Sequence, residues 1–287
     1  MRKFIVGSDW WTDCDDVVAF RLIAGAVRNG EITVKGIGLN ACMPDSASSL
    51  IGFLKSEGIP VPPIGIDLNG TDFGGNPPYQ KRLAKLCVPR VENEELENAA
   101  DLYIRLLKEA DEKLEIIEIG YPQVLSEVIE RETKLFFEKV ERIWMMAGKW
   151  DVMPGKENNF ARNERSRIAA HKFCENCPVP VLFLGWEISY NIITGGLLKE
   201  SDVLHQVLCD HGSMHGRSSW DPMLVQLALT GDPEKAEYEV VTGTASVDPL
   251  TGENNFKPDP HGKHGYVKKK MPDEYYNRLI DEKIASI

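Results

Sequence analysis

Apolar residues recur along this chain with two alternating spacings. Short β-prone runs are followed by longer stretches in which apolar positions return every three or four residues. Lys3 to Gly7 (KFIVG) predicts a first strand, and Val17, Val18, Ala19, Phe20, Leu22 and Ile23 open a helix. Glu31–Leu39 reads as a second strand, and Ser46–Glu57 as a helix with Ala47, Leu50, Ile51 and Leu54 on one stripe. Ile59–Ile66 is a short strand interrupted by prolines, and Asp67–Pro78 (DLNGTDFGGNPP) is a loop. Then come a helix over Asn98–Asp111, a strand over Leu114–Ile119, a helix over Gln123–Arg131 and a strand over Arg142–Ala147. A polar loop over Gly148–Asn163 precedes a helix over Ser166–Cys174 and a strand over Pro178–Leu184. Helices over Tyr190–Lys199 and Trp220–Leu229, a β region from Tyr238 to Val247 and a closing helix over Asp273–Ile284 complete the pattern.

This alternation predicts an α/β fold. The strands around Ile117 and Leu182 are nearly continuous apolar runs, as strands covered on both faces are. A mostly parallel, Rossmann-like central sheet with helices on both faces satisfies that pattern. No repeat, linker or charge block divides the sequence, so residues 1–287 are expected to form a single domain. In such sheets ligands bind at the carboxyl ends of the strands. Those ends carry Asp9, Asn40, Gly120 with Tyr121, and Gly148 with Lys149.

Composition narrows the partners. The formal net charge of −11 argues against a nucleic-acid backbone, which needs clustered cations. The tight basic cluster, Lys268-Lys269-Lys270, is expected to be a solvated turn. No apolar run approaches the roughly 20 residues that cross a bilayer. The first apolar run is too short for a signal-peptide core, so no membrane partner and a cytoplasmic location are expected. Six cysteines do not make a disulfide scaffold, and Cys174 and Cys177 form a lone Cys-x-x-Cys expected to pack as reduced thiols.

The candidate chemistry lies at the first strand end. Asp9, Asp13, Asp15 and Asp16 fall within eight residues. Capping of the following helix by Thr12 or Asp13 accounts for one or two acids but not four. Carboxylates delivered by a strand into a loop and a helix start suit a hard cation, which relieves their repulsion.

The stretch Gly7-Ser8-Asp9-Trp10-Trp11-Thr12-Asp13-Cys14-Asp15-Asp16 resembles the opening of the nucleoside hydrolases, the inosine-uridine-preferring N-ribohydrolases. Their pattern is Asp-Thr-Asp, continued in some branches as Asp-x-Gly-Thr-Asp-x-Asp-Asp. In this register Gly7 replaces the first acid and Trp11 the turn glycine. A second register puts Trp11 at the base position and leaves Thr12 and Asp13 unmatched. Asn40 falls on a substrate-contacting asparagine. Ile119-Gly120-Tyr121-Pro122-Gln123-Val124-Leu125 occupies the place of a Gly-Pro-Leu-Thr-Asn segment whose backbone carbonyl binds calcium. Glu157-Asn158-Asn159-Phe160 resembles a sugar-gripping Glu-Phe-Asn, and Ser219-Trp220-Asp221-Pro222 a late His-Asp-Pro.

The resemblance implies the nucleoside hydrolase fold and a Ca²⁺-dependent cleavage of an N-glycosidic bond. The implied Ca²⁺ ligands are Asp9, Asp16, Asp221 and the Gln123 carbonyl, with sugar hydroxyls and water completing the shell. Asp9 is the implied general base towards water; Asp15, Asn40, Glu157 and Asn159 are the implied sugar contacts. Attack by water predicts inversion. Trp220 stands where some members have a proton-donating histidine; an indole cannot donate that proton but can stack on a base. The implied partner is a small nucleoside or N-riboside, and the implied assembly a homodimer or homotetramer. The alternative is a non-catalytic nucleoside- or sugar-binding protein on the same fold, motivated by Trp11, Gln123 and Trp220. An aspartate-based phosphohydrolase also begins strand-then-Asp, but it expects a second acid where Trp11 stands.

Other residues carry weaker expectations. His211 and His215 have zinc-like spacing, but Gly212 and Gly216 argue against a regular helix there. His261 and His264 lie in a Gly/Pro-rich stretch and are expected to be solvated. Of Trp10, Trp11, Trp150 and Trp220, which flank proposed ligand residues, at least one is expected to stack on a base or sugar, with Trp186 set apart.

Overall fold

The fold is taken from a computed structural model, which describes residues 1–286. The first half contains β1 (Arg2–Ser8), α1 (Asp15–Arg28), β2 (Ile32–Leu39), α2 (Ser46–Ser56), β3 (Ile64–Ile66), α3 (Pro78–Ala84), β4 (Glu97–Asn98), α4 (Ala99–Glu109), β5 (Leu114–Glu118), α5 (Gln123–Lys139) and β6 (Val140–Met146). The second half contains β7 (Gly155–Lys156), α6 (Asn158–Ala161), α7 (Glu164–Asn176), β8 (Val181–Leu184), α8 (Trp186–Ser189), β9 (Ile193–Thr194), α9 (Val203–His211) and β10 (Arg217–Ser218). It closes with α10 (Trp220–Thr230), β11 (Tyr238–Val247), β12 (Glu253–Pro258), β13 (His264–Lys269) and α11 (Asp273–Ala285).

Eleven strands form one sheet in the order β4-β3-β2-β1-β5-β6-β8-β13-β11-β12-β7. The pairings from β4 through β13 are parallel, and those of β11, β12 and β7 are antiparallel. Strand β1 pairs with β2 on one side and β5 on the other, so the strand order reverses there. A crevice opens at the carboxyl ends at such a reversal. Apolar cores cover both faces of the sheet: Phe4 and Val6 join one cluster, and Ile5 joins the other.

Several expectations shift. The proline-rich part of Ile59–Ile66 stays outside the strand, and α5 runs to Lys139 through non-helical backbone at Glu132. The stretch expected as a helix over Tyr190–Lys199 instead follows the one-turn α8 and contains β9; its paired glycines, Gly195 and Gly196, oppose a helix. The helix nearby is α9, which ends where Gly212 adopts φ 86°. His211 and His215 are therefore not on one helix face. His264 is not a solvated loop residue: it lies buried in β13, where its Nδ1 accepts the Ala245 N–H at 2.9 Å. Lys268 and Lys269 end that strand rather than form a turn, and Lys269 Nζ pairs with Asp273. All six cysteines are free thiols.

Candidate functional site

The loop from Asp9 to Cys14 leaves β1 under backbone strain. Trp10 has φ 50° and Thr12 φ 55°, a region that L residues seldom adopt. Such strain persists only where surrounding structure over-determines it. Here the fully buried Trp10 indole packs edge-on to Phe20 at 5.3 Å, and its Nε1 donates to Ser49 Oγ at 2.8 Å. The anchored loop holds Asp9 and Trp11 at the crevice, where the Trp11 N–H donates to Asp9 Oδ1 at 3.0 Å.

Helix α1 begins at Asp15 and Asp16, and α10 at Trp220 and Asp221. These two helix starts bring the Asp15, Asp16 and Asp221 carboxylates together, with oxygens within 4.8 Å of one another. All three are buried, and among the described residues none has a Lys or Arg partner within 4.0 Å. Asp16 accepts from Ser8 Oγ and Asp15 Oδ2 from the Asp221 N–H at 3.0 Å. Asp9 stands beside this trio rather than within it. Burial drives the carboxyls of all four well above the usual range, and their mutual repulsion adds to the effect. A buried all-oxygen cluster without a cationic side chain fits a hard divalent cation. The fourth acid of the opening stretch, Asp13, is not the α1 cap. It accepts from the Cys14 N–H at 2.8 Å and forms a two-pronged ion pair with Arg217.

A cavity of about 200 Å³ opens above these acids. Asp9, Asp15, Asp16 and Asp221 form its floor, and Glu157 and Asn159 one side. Glu157 caps the short α6: its Oε1 accepts from Asn159 N at 2.8 Å and its Oε2 from Gly148 N at 3.0 Å. Burial nevertheless raises its carboxyl to about 7, despite the opposing pull of those N–H groups. Asn159 Nδ2 donates to the Met146 carbonyl at 2.9 Å. Trp220 also lines the cavity and is stacked with Trp186, ring centroids 6.4 Å apart.

Asn40 and Gln123 do not line the cavity. Asn40 is fully buried, donating from Nδ2 to Glu118 Oε1 at 2.8 Å and accepting from Tyr121 N at 2.9 Å. Gln123 Nε2 holds the Asn40 carbonyl at 3.0 Å, and its own Oε1 has no partner among the described residues. Trp10 and Trp150 are core side chains, while Trp11, Trp186 and Trp220 reach the cavity. The grouping of tryptophans that set Trp186 apart is therefore corrected: α8 follows β8 directly and carries Trp186 to the same sheet edge.

Sequence reasoning passed over Glu118, Arg162 and Arg217 as site residues and gave Tyr121 only a place at a strand end. Glu118 closes β5 next to Gly7 of β1, and a Cβ on Gly7 would collide with the Glu118 carboxylate. The glutamate thus fills the space that a side chain at residue 7 would need. Burial pushes its carboxyl up to about 8 against hydrogen bonds from Gly120 and Asn40. The signal was an acid at the carboxyl end of an otherwise apolar strand (LEIIE).

No family model and no curated protein matches this sequence. Solved structures match the whole chain. A plant nucleoside hydrolase superposes with a TM-score of 0.76 at 16% identity, covering 100% of this chain and 99% of its own. An inosine-uridine preferring nucleoside hydrolase from Bacillus anthracis gives 0.74 at 14% identity, covering 100% of both chains. This is the nucleoside hydrolase fold. A type III effector protein XopQ complexed with adenosine diphosphate ribose also has it, with a TM-score of 0.71, 13% identity, and coverage of 99% of this chain and 94% of that one. In this chain the nucleoside hydrolase fold places the acidic floor at the strand-order reversal, between the ends of β1 and β5 and the starts of α1 and α10.

Proposed function

We propose that the chain hydrolyses the N-glycosidic bond of a ribonucleoside or related N-riboside, with Ca²⁺ held over the acidic floor. The observation that carries this reading is the buried trio without cationic side chains, sharing one cavity with Asp9, Glu157 and Asn159. Asp9, Asp16 and Asp221 are the proposed ligands, and the Gln123 carbonyl implied by the resemblance is not among them because Gln123 lies off the cavity at the start of α5; Asp15 lies close enough to the trio's other oxygens to share either the cation or a sugar hydroxyl. When bound, the cation supplies positive charge to the floor and acidifies a water.

The chain's own groups do the rest. Asp9, in its carboxylate form, takes a proton from the attacking water. Asp15, Glu157 and Asn159 fix the sugar hydroxyls, so that the developing positive charge on the ring lies above carboxylates. Water enters from the floor and the base departs on the opposite face, which gives inversion. Trp220 and Trp186 offer aromatic faces to the departing base. Asn40 acts behind the cavity, by bracing Glu118 and Tyr121 rather than by touching substrate.

The test is a screen of ribonucleosides and other N-ribosides for free ribose and free base, with and without a chelator. Chelator-sensitive release of base is the expected result. Release unaffected by thorough chelation overturns the cation assignment, and no release from any riboside overturns the hydrolase reading.

A second reading, riboside binding without turnover, is favoured by one observation. Among the described residues lining the cavity there is no histidine to protonate a leaving base. Tight binding of a ribosyl compound by the calcium-loaded protein with no base release would select it. A homodimer or homotetramer is proposed as the assembly, and light scattering on the purified chain tests that.

A further inference from the structure

The cavity carries more hydrogen-bond donors than a neutral riboside needs. Arg162 lines it, with its guanidinium 4.8 Å from the Trp11 ring centroid. One nitrogen donates to the Phe73 carbonyl at 2.8 Å, and no carboxylate pairs with it among the described residues. Its neighbour in sequence, Arg165, shows the contrast: it pairs with both Asp67 and Asp72. Arg217, whose guanidinium lies 5.4 Å from the Trp220 ring centroid, is already taken by Asp13. Arg162 is thus the cation lining this cavity whose charge is unspent.

Two more donors stand beside it. Tyr121 is fully buried, stacked on Phe73 with centroids 4.1 Å apart, and lines the cavity. Its hydroxyl accepts from Asn158 Nδ2 at 3.2 Å, while its own proton goes to no acceptor among the described residues. The second N–H of that Asn158 amide likewise has no acceptor among the described residues, and Asn158 also lines the cavity. A guanidinium, a phenol and an amide with spare protons form a cluster that wants an anion with several oxygens. Asn158 and Arg162 flank Asn159, and Trp11 is two residues from Asp9. The cluster therefore adjoins the sugar-holding residues rather than the Trp186 and Trp220 wall.

Resting on the reading of this cavity as an N-riboside site, we propose that its substrate carries a phosphate on the sugar, held by Arg162, Asn158 and Tyr121. The tetrahedral phosphate offers oxygens to three separate side chains, and the planar Arg162 fork can take two of them. Phe73 is the hinge of the arrangement: its ring supports Tyr121 and its carbonyl fixes Arg162.

The experiment is titration calorimetry on the full chain with calcium present. The probes are inosine, guanosine, adenosine and uridine against their 5′-monophosphates. For the base the cavity prefers, the monophosphate is expected to bind at least about tenfold more tightly than its nucleoside, because charged hydrogen bonds are made to it alone. Arg162→Met is expected to bring that ratio to within about threefold of unity. Tyr121→Phe keeps the ring stack and reads the hydroxyl alone, narrowing the ratio by a smaller factor. Equal affinities for monophosphate and nucleoside overturn the proposal, as does an Arg162→Met variant that weakens both equally, which would mark Arg162 as a loop clamp. Preferential binding of the monophosphate without release of its base overturns the hydrolase reading and leaves this proposal standing. Base release from nucleosides with no phosphate preference does the reverse.

Discussion

Strand β5 carries two glutamates with opposite fates. Near its amino end, Glu115 is clasped by Arg2 through two contacts of 2.6 Å and receives Trp144 Nε1 at 2.7 Å. At its carboxyl end, Glu118 has no cation among the described residues, and one of its oxygens has no partner at all. The same division runs through the molecule. Away from the cavity, buried acids such as Glu57 meet arginine, in that case Arg21 at 2.8 Å. Around the cavity, Asp9, Asp15, Asp16, Asp221 and Glu157 are buried without one. Buried charge without a partner is destabilising, so its concentration at one sheet edge marks where folding has yielded to chemistry.

The sharpest way to break this contrast is to remove an acid from the cavity. Asp9→Ala is expected to lower base release by about 10²- to 10⁴-fold, the range for loss of a general base, and to weaken calcium binding. Chromatographic assay of free base together with calcium titration checks both; undiminished release in this variant would sink the role given to Asp9.

Stability tells the two regions apart next. In chelator, Asp221→Asn is expected to raise the unfolding free energy by about 1–3 kcal/mol, because a buried like charge is relieved. Glu115→Gln is expected to lower it by about 1 kcal/mol, because a paired charge is lost. Urea denaturation of the two variants measures the difference in sign, and destabilisation of similar size in both would remove the contrast.

The pH dependence follows from the same acids. Their folded-state pKa values are raised above the unfolded value of 3.8, so the cation-free folded chain binds protons that the unfolded chain releases. Stability from this source is full below that value and is lost as pH rises through the raised values. His264 acts oppositely: burial lowers it to about 4 from 6.5, so its contribution is lost as pH falls from 6.5 towards 4. Melting temperatures in chelator are therefore expected to fall as pH rises through the raised carboxyl values, among which Glu157 lies at about 7 and Glu118 at about 8. Calcium should flatten that decline and leave the acid limb unchanged; a calcium effect confined to the acid limb would contradict the assignment.

The smallest expected effect is at Trp220. Trp220→Phe keeps an aromatic face towards the leaving base, and a rise in KM of about two- to fivefold with kcat little changed is the expected outcome in steady-state assays. A collapse of kcat instead would give the indole a role beyond stacking.

Much of the fold was legible because the apolar runs of β1, β2, β5, β6 and β8 are dictated by burial on both faces. Three members of the acidic floor were legible because they lie in one loop-helix junction, whereas Asp221 was reached only through the resemblance of Ser219-Trp220-Asp221-Pro222 to a His-Asp-Pro segment. What was hidden depends on contacts between distant segments. Trp186 reached the cavity because α8 starts where β8 ends, in a stretch whose helical signal was assigned a few residues too late. Arg162 and Tyr121 meet only because Phe73, from the loop after β3, lies between them. His264 looked solvated among glycines and prolines, yet strand pairing with β8 and β11 buries it. Asn40 was expected at the substrate because its strand end points to the right edge. The neighbouring Glu118 claims its amide instead.

The exchange of space between Gly7 and Glu118 constrains how this chain can change. Placing an acid at residue 7 alone would drive its Cβ into the Glu118 carboxylate. Shortening Glu118 alone would open a void and strip Asn40 Nδ2 of its acceptor. Either single step crosses a loss before the second repairs it, so the two positions form an epistatic pair with no smooth route between them. The space beside residue 7 is thus governed from the neighbouring strand, and a comparison made position by position would not show that dependence.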